Sequence, residues 1–499
     1  MRERRVASEV PLVMEPDQFR QLGHALVDDI ADFLGSLPER RVSPTGGPEE
    51  IRALLPAGGL PQQGADAGLL LRDAARILFD RSTFNGHPRF FGYITASPAP
   101  IGILGDLLAS AVNANCGGWT LSPAAAEIES QTVRWIAELI GYPTDSGGLL
   151  VSGGNVANFT CFLAARTAAA SWPVRENGLA GPDARQFVVY ASAETHTWIQ
   201  KATDLFGLGT AAIRWIPVDA ELRMDVGLLR AALEQDSARG MRPMMVVGTA
   251  GSVSTGAIDP LHDIADLCAE HGIWFHIDGA YGGFAAAAPD APADLSAFAR
   301  ASSIAVDPHK WLYAPLEAGC AFVRDVDALR NAFSYHPAYY HFGVEATNYV
   351  DLGMQNSRGF RALKVWLALR QVGRDGYARM IGDDIALTRH LDAHVTAHPD
   401  LQPVTCGLSI CTFRYVPADM PGGVQGAAAE EWLDRLNREL LDRLQKGGEA
   451  FVSNAVIGGR YVLRACIVNF NTTVADVEEL PRIVARVGRE VADELRITA

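Results

Sequence analysis

The residues best suited to chemistry in this chain are a lysine and an aspartate, each at the end of a short apolar segment. Only four of the 43 basic residues are lysines, and one of them, Lys310, follows the apolar run 303–306 and precedes Trp311. Arginine stays protonated near neutral pH, whereas a desolvated lysine can lose its proton and act as a nucleophile. The alternative to a nucleophile is a structural role, in which the side chain of Lys310 only extends outward from a buried strand end toward solvent. The neighbouring motifs favour the nucleophile.

Asp278 stands in the second of these motifs, His276-Ile277-Asp278-Gly279-Ala280, which follows the apolar run 272–275. In open α/β sheets, ligands bind outside the carboxyl ends of the strands. A lysine and a carboxylate at two such ends are typical of a pyridoxal phosphate site. The lysine forms a Schiff base with the cofactor, and the carboxylate keeps the pyridine nitrogen protonated so that the ring can accept electrons.

Three further apolar segments, 148–151, 188–190 and 244–247, also run into polar residues. The first is followed by 152–155 (Ser-Gly-Gly-Asn) and by a predicted helix at 156–167. A helix N-terminus of this kind offers backbone N–H groups to a phosphate. Alone, a Ser-Gly-Gly turn is an ordinary tight turn. Five strand ends that carry polar residues together indicate one binding site.

With these motifs the chain resembles the group II pyridoxal-phosphate-dependent amino-acid decarboxylases, which include the aromatic amino-acid, histidine and glutamate decarboxylases. The matching segments are His196, 307–311 (DPHKW), 276–281 (HIDGAY), 250–261 (AGSVSTGAIDPL), 358–366 (RGFRALKVW), 87–93 (HPRFFGY) and 119–123 (WTLSP). Together they lie within roughly residues 15 to 480, most of the chain. The resemblance implies an α/β protein of fold type I, with a mainly parallel seven-stranded sheet in a large domain.

Three parts are expected: an N-terminal helical dimerisation segment at 1–85, a large cofactor-binding domain at 86–375 and a small α+β domain at 376–499. In the first part, apolar residues recur every three or four positions and predict one helical stripe: Phe19, Leu22, Leu26, Ile30, Phe33 and Leu37. The stripe either packs on its own subunit or, as the resemblance implies, clasps a second one. The last part shows alternating strands at 408–414 and 461–467 around a helix at 430–444.

The resemblance implies the role of each site residue. Lys310 forms the Schiff base, Asp278 pairs with the pyridinium, and His196 stacks on the ring and orients the substrate carboxylate. The remaining cofactor contacts fall on Gly153, Gly154, Asn155, Ser252, Ala280, Asp307 and His309. Asp307 departs from the family pattern, in which asparagine is commonest, and Ser252-Val253 replaces a Thr-Thr pair. Metal ligation by His276, Asp278 and His309 is disfavoured because these residues lack the close-spaced pairs of metal motifs.

The expected reaction is decarboxylation of an L-amino acid, aromatic by preference, to an amine and CO2 through the Lys310 Schiff base and a quinonoid intermediate. The aromatic segment 333–349 looks like a lid, and the resemblance points to Tyr339 as the proton donor, with Tyr340 next. Tyr93, Ile94, Trp119 and Ser357 are the expected substrate contacts. Open alternatives are an aliphatic or specialised substrate, oxygen-dependent conversion to an aldehyde, and a non-catalytic homologue.

Composition restricts the partners. A net charge of −15 disfavours nucleic acid. An apolar run of about 18 residues, as a membrane span requires, is missing, and residues 1–5 are not followed by the apolar core of a signal peptide. Seven cysteines without Cys-x-x-Cys spacing are typical of reduced thiols. The chain is therefore expected to be a cytoplasmic homodimer that acts on a small-molecule amino acid.

Overall fold

The computed structural model describes residues 12–181, 184–335, 346–418 and 426–497. The α-helices of these residues are α1 (Pro16–Ser36), α2 (Pro48–Arg52), α3 (Ala67–Arg81), α4 (Pro100–Val112), α5 (Pro123–Ile140), α6 (Gly154–Ala169), α7 (Val174–Asn177), α8 (Trp198–Leu205), α9 (Val226–Ala238), α10 (Leu261–His271), α11 (Val326–Phe333), α12 (Ala362–Ala397), α13 (Ala427–Gly447) and α14 (Val474–Ile497). Of the described helices, none combines the length and apolar character that a membrane span needs.

The strands are β1 (Phe90–Phe91), β2 (Gly147–Val151), β3 (Phe187–Ser192), β4 (Ile213–Ile216), β5 (Arg242–Thr249), β6 (Trp274–Gly279), β7 (Ser303–Val306), β8 (Gly319–Val323), β9 (Leu401–Gly407), β10 (Ile410–Tyr415), β11 (Phe451–Ile457) and β12 (Arg460–Cys466). They form a seven-stranded sheet in the order β2-β8-β7-β6-β5-β3-β4 and a five-stranded sheet in the order β1-β11-β12-β10-β9.

The seven-stranded sheet is parallel from β7 through β6, β5 and β3 to β4, and β8 runs antiparallel to both of its neighbours. Every residue of β2, β3, β7 and β8 is buried, because helices cover both faces of the sheet. Leu150 belongs to the core cluster that includes α5 and α10, whereas Leu149 and Val151 belong to the cluster that includes α6. The predicted mainly parallel seven-stranded sheet is confirmed.

The second sheet, with α13, α14 and the end of α12, encloses a separate core around Phe413, Leu436 and Val484. This is the small α+β unit that the sequence predicts. One strand of this sheet comes from far away in the chain, since β1 pairs in parallel with β11 through Phe90 and Phe451. The long helix α12 passes from one unit to the other and is kinked at Gly373, whose φ is 69°. The boundaries after residues 85 and 375 stay predictions.

The N-terminal helix α1 has no buried residue. Near its end, Phe33 stacks on Phe79 of α3 with the ring centroids 4.4 Å apart. At its start, Phe19 is 63% exposed. Most of the predicted apolar stripe therefore packs on its own chain: Leu22, Leu26, Ile30 and Phe33 are half-buried and Leu37 is buried.

Candidate active site

The carboxyl ends of β2, β3, β5, β6 and β7 border one cavity of about 530 Å³. Parallel strands end at the same edge of the sheet, so residues far apart in sequence meet there. The small domain contributes Arg464 of β12, and the segment 93–95 after β1 completes the wall. The cavity thus lies between the large sheet and the small one.

Lys310 enters this cavity from the turn after β7. Its Nζ lies 3.0 Å from Oδ2 of Asp307, and the exposed fractions of the two side chains are 17% and 3%. His309 donates from Nδ1 to the carbonyl of Ala318 at 2.7 Å, which leaves Nε2 directed toward Asp307 Oδ2 at 3.7 Å. Burial lowers the pKa of His309, with the Asp307 carboxylate opposing this effect. The Lys310 amine is therefore held beside a buried carboxylate.

Asp278 is 6% exposed and lines the same cavity from the end of β6. Its Oδ2 accepts a hydrogen bond from Trp198 Nε1 at 2.7 Å, and its Oδ1 accepts one from the N–H of Ala280 at 3.1 Å. These two donors fix the orientation of the carboxylate. Ala280 also lines the cavity, and its small side chain leaves space for a planar ring.

His196 reaches the cavity from the loop after β3. Burial lowers its pKa, the charges of Lys310 and Lys201 act in the same direction, and Asp278 opposes them. Its Nδ1 accepts a hydrogen bond from the N–H of Trp198 at 3.3 Å, so the neutral ring carries its proton on Nε2. A neutral imidazole with an N–H to donate is suited to contact an anionic or aromatic group.

The turn between β2 and α6 forms a cradle of backbone. Gly153 has φ 81°, a conformation that glycine adopts without strain. A Cβ at Gly154 would lie 2.6 Å from Asp307 Oδ2, and a Cβ at Gly319 would lie 2.5 Å from the carbonyl carbon of Gly153. Side chains are therefore excluded where the N-terminus of α6 presents its free N–H groups, which suits an anion. Asn155 lines the cavity beside this turn.

Three buried polar atoms of the cavity lining have no hydrogen-bond partner among the described residues: Thr95 Oγ1, Asp307 Oδ1 and Arg464 Nε. Buried polar atoms are almost always satisfied in folded proteins, so these atoms indicate a polar ligand. Arg464 is 3% exposed and donates to Ser453 Oγ at 2.8 Å and to the carbonyl of Tyr93 at 3.3 Å. Sequence reasoning missed Arg464 as a site residue, although an arginine inside the apolar strand β12 is an available signal.

Of the predicted cofactor contacts, Gly153, Gly154, Asn155, His196, Asp278, Ala280, Asp307, His309 and Lys310 all line the cavity. Ser252 does not. It is buried in the turn after β5, where its Oγ lies 2.8 Å from Oγ1 of Thr255, while its neighbours Gly251 and Val253 line the cavity. The hydroxyl predicted to contact the cofactor is thus engaged within its own turn.

Of the predicted substrate contacts, Tyr93 and Ile94 line the cavity, and Trp119 and Ser357 do not. Trp119 donates from Nε1 to Glu127 at 2.8 Å, and Ser357 is exposed. Tyr339 and Tyr340 lie outside the described residues, and the proton-donor role stays a prediction.

Both ring nitrogens of His276 are engaged beneath the cavity. Nε2 lies 2.7 Å from Asn158 Oδ1, and Nδ1 lies 2.8 Å from Ser303 Oγ. Burial lowers the pKa of this histidine to about 4. In this arrangement His276 supports the floor of the site and offers no lone pair for a shared ion with Asp278 and His309.

Fold and site together define an α/β enzyme that attaches a carbonyl cofactor to a lysine. Residues 48–415 match the family model of the pyridoxal-dependent decarboxylase conserved domain. The chain belongs to this family and is a pyridoxal-phosphate-dependent amino-acid decarboxylase.

Three known proteins illustrate the similarity. The aromatic-L-amino-acid decarboxylase of Bacillus atrophaeus is 32% identical over 492 residues, which cover 98% of each chain. The crystal structure of Oryza sativa TDC with PLP and tryptamine has 30% identity and a TM-score of 0.88, and the match covers 96% of this chain and 99% of that one. The phenylacetaldehyde synthase of a Rosa hybrid cultivar is 27% identical, with 92% of each chain covered.

The residues present fit pyridoxal phosphate as the cofactor. The cavity combines a lysine amine, a carboxylate at the next strand end, a side-chain-free cradle at a helix N-terminus and unpartnered polar atoms. Lys310, Asp278 and the turn 153–155 are the residues that would hold its carbonyl carbon, its ring nitrogen and its phosphate.

Proposed function

We propose that this decarboxylase acts on an L-amino acid with an aromatic side chain and releases the corresponding amine and CO2. The observation that carries the proposal is the convergence of Lys310, Asp278 and the Gly153-Gly154 cradle on one cavity. The preference for an aromatic side chain rests on the lining toward solvent, where Tyr93 and Leu316 are 58% and 62% exposed. The names of the similar proteins from Bacillus and Oryza point in the same direction.

Bound in this cavity, pyridoxal phosphate supplies a carbonyl to which an amine can be attached and a ring that takes up the electron pair left by departing CO2. In the proposed mechanism, Asp278 holds a proton at the ring nitrogen, because a carboxylate beside it favours the charged form. The N–H groups at the start of α6 bind the phosphate. Both roles need only residues that already line the cavity.

Lys310 is the nucleophile that attaches the cofactor and later displaces the product. It must lose a proton before it can attack, and Asp307, 3.0 Å away, is the nearest base. Arg464 offers its unpartnered Nε to the substrate carboxylate, and His196 donates from Nε2. These contacts orient the bond that breaks, while Tyr339 is proposed to deliver a proton to Cα.

A second reaction, oxidative conversion to an aldehyde, is supported by the similarity to a protein named phenylacetaldehyde synthase. A tyrosine at 339 and a histidine at 196 favour the amine, because protonation of Cα by such side chains would compete with reaction with oxygen. The two reactions differ in their products: the aldehyde route yields ammonia and peroxide, and it requires oxygen.

We also propose a homodimer. The helix α1 has no buried residue, and a second exposed apolar set follows on α4 and shortly after it: Leu104, Leu107, Leu108, Val112 and Leu121, each 52–64% exposed. Exposed apolar surface of this extent is typical of an interface. Trp119 and Ser357 lie near or at the surface of one chain, and as substrate contacts they would have to act on the partner's cavity. The cysteines are free and six of seven are buried, which supports a reducing compartment such as the cytoplasm.

The test is a product screen. Purified cofactor-loaded protein is incubated with each common amino acid under air and under nitrogen, and amines, aldehydes and peroxide are measured. We expect an amine from tryptophan, tyrosine or phenylalanine in both atmospheres. Lys310→Ala is the matched control and should abolish turnover. Activity confined to aliphatic or acidic substrates would refute the aromatic preference, and an oxygen-dependent aldehyde would refute the amine.

A further inference from the structure

A group of two histidines and a glutamate joins the two long helices of the small domain, far in sequence from the active-site motifs. His390 and His394 are one turn apart on α12, and Glu478 lies in the first turns of α14. Residues i and i+4 of a helix project from the same face, so both imidazoles point toward α14. Of the described residues, this is the one group of histidine, cysteine and carboxylate side chains close enough to share an ion.

The distances match a metal ion of the zinc class. Nε2 of His390 lies 3.0 Å from Oε1 of Glu478, and Nε2 of His394 lies 3.7 Å from the same oxygen. Zn²⁺ binds nitrogen and oxygen at about 2.0–2.2 Å, so two ligands of a tetrahedral ion are about 3.3 Å apart. The observed separations lie on either side of this value. Small side-chain rotations would therefore complete the coordination.

The backbone beneath these side chains is held in place by the core. Leu391 and Val395 of α12 and Val477 and Leu480 of α14 are fully buried in the same cluster. The three candidate ligands sit at the rim of this contact with side chains 35–40% exposed. A preformed ligand set avoids much of the ordering cost of binding, and the partial exposure leaves room for a water as fourth ligand.

Charge also favours a cation. Glu478 accepts a hydrogen bond from His390, so its carboxylate already faces the imidazole side of α12. The whole chain carries a net charge of −15. Two imidazoles and one carboxylate suit Zn²⁺, Ni²⁺, Co²⁺ or Cu²⁺, whereas Mg²⁺ and Ca²⁺ prefer oxygen ligands alone.

We propose that His390, His394 and Glu478 form a divalent transition-metal site, with Zn²⁺ as the fitting ion, that fastens the C-terminal helix α14 to α12. The site is independent of the cofactor and of the decarboxylation. A bound ion would stabilise the folded small domain in proportion to its occupancy.

The test is a titration of the cofactor-loaded protein, first stripped with a chelator, with Zn²⁺ alone. Isothermal calorimetry should show one ion per chain. His394→Gln and Glu478→Gln should each weaken binding by at least about tenfold, as expected when one of three ligands is lost. His271→Gln is the matched control, because His271 is an exposed histidine in the last turn of another helix, α10. This variant should bind Zn²⁺ with the same affinity as the wild type.

A second measurement does not depend on affinity. Hydrogen exchange of the peptide covering residues 474–497 should slow on addition of Zn²⁺ in the wild type and in His271→Gln, and it should not change in Glu478→Gln. Circular dichroism and the visible band of the cofactor show that each variant is folded. The proposal would be overturned if the wild-type protein bound no Zn²⁺. It would also be overturned if His394→Gln and Glu478→Gln both bound Zn²⁺ with wild-type affinity.

Discussion

The buried ion pair between Glu129 of α5 and Arg358 allows a quantitative test of how the site is supported. The two side chains are 1% and 2% exposed. Arg358 donates to both carboxylate oxygens and to the carbonyls of Cys116 and Leu150, and Glu129 accepts from the N–H of Leu150 at 2.9 Å. The pair thus fixes the strand that leads into the Gly153-Gly154 cradle.

Glu129→Gln keeps the shape of the side chain and removes its charge, so Arg358 is left buried without a counter-charge. Breaking one partner of a buried pair costs about 3–5 kcal/mol. The unfolding entropy is about 2 cal/mol/K per residue, or about 1 kcal/mol/K for a chain of 499 residues. The thermal midpoint should therefore fall by about 3–5 °C.

The assay is calorimetry at fixed concentrations of subunit and cofactor, since both shift the midpoint. Glu270→Gln is the matched control. It breaks the Arg230–Glu270 pair, which has a similar distance of 3.0 Å but side chains 46% and 54% exposed, and it should cost less than about 1 kcal/mol. In a double-mutant cycle with Arg358→Met, the double variant should lose about 1–3 kcal/mol less than the sum of the single variants. Additive effects, or equal losses in Glu129→Gln and Glu270→Gln, would refute the reasoning.

Three further tests address the chemistry and the pH response. Asp278→Asn should keep the fold and lower kcat about a hundredfold, a cost of about 3 kcal/mol, because a neutral amide no longer holds the proton at the ring nitrogen. Stopped-flow rates near the wild-type value would contradict this role. Tyr339→Phe should reduce the amine and allow an oxygen-dependent aldehyde, whereas Tyr340→Phe should keep the amine; unchanged output from Tyr339→Phe would move the role to Tyr340 or to water. Burial raises the pKa of Asp384 from 3.8 to about 7, so the folded state binds this proton more tightly than the unfolded chain. The contribution of this proton to the free energy of unfolding is complete below about pH 4. It is lost as the pH rises through about 7, and the total loss is roughly 4 kcal/mol at most. The fall of the thermal midpoint over this range should be shallower in Asp384→Asn, and identical slopes in the two proteins would count against the shifted pKa.

The central residues of the site could be predicted from the sequence because each of them lies at or shortly after the end of a strand. Lys310, Asp278 and the turn 153–154 each follow an apolar segment, and parallel strands bring their carboxyl ends to one edge of the sheet. The pattern therefore predicted which residues meet without any knowledge of the distances. The number of strands in the large sheet was implied by the family resemblance that these motifs carry.

Two residues that enter the cavity from outside that edge, Arg464 and Thr95, were not predicted, whereas Tyr93 and Ile94 were. Arg464 and Thr95 reach it because β1 pairs with β11, which joins Phe90 to Phe451. Pairing between strands that are so far apart in the sequence depends on the packing of the whole small domain. The periodicity of the local sequence therefore does not reveal it. Trp119 and Ser357 do not line the cavity of their own chain, and in the proposed dimer their roles would depend on the surface of a second subunit.

The sequence by itself determined the fold class and the family, since these follow from the motifs at the strand ends, and it predicts that Lys310 attaches the cofactor. Tertiary structure alone decided that the Ser252 hydroxyl turns away to Thr255. It also decided that Arg464 is left with a free donor and that Glu478 meets His390 across two helices. The physical reason is that side-chain direction and hydrogen-bond partners are set by long-range packing, and local sequence specifies only which atoms are available.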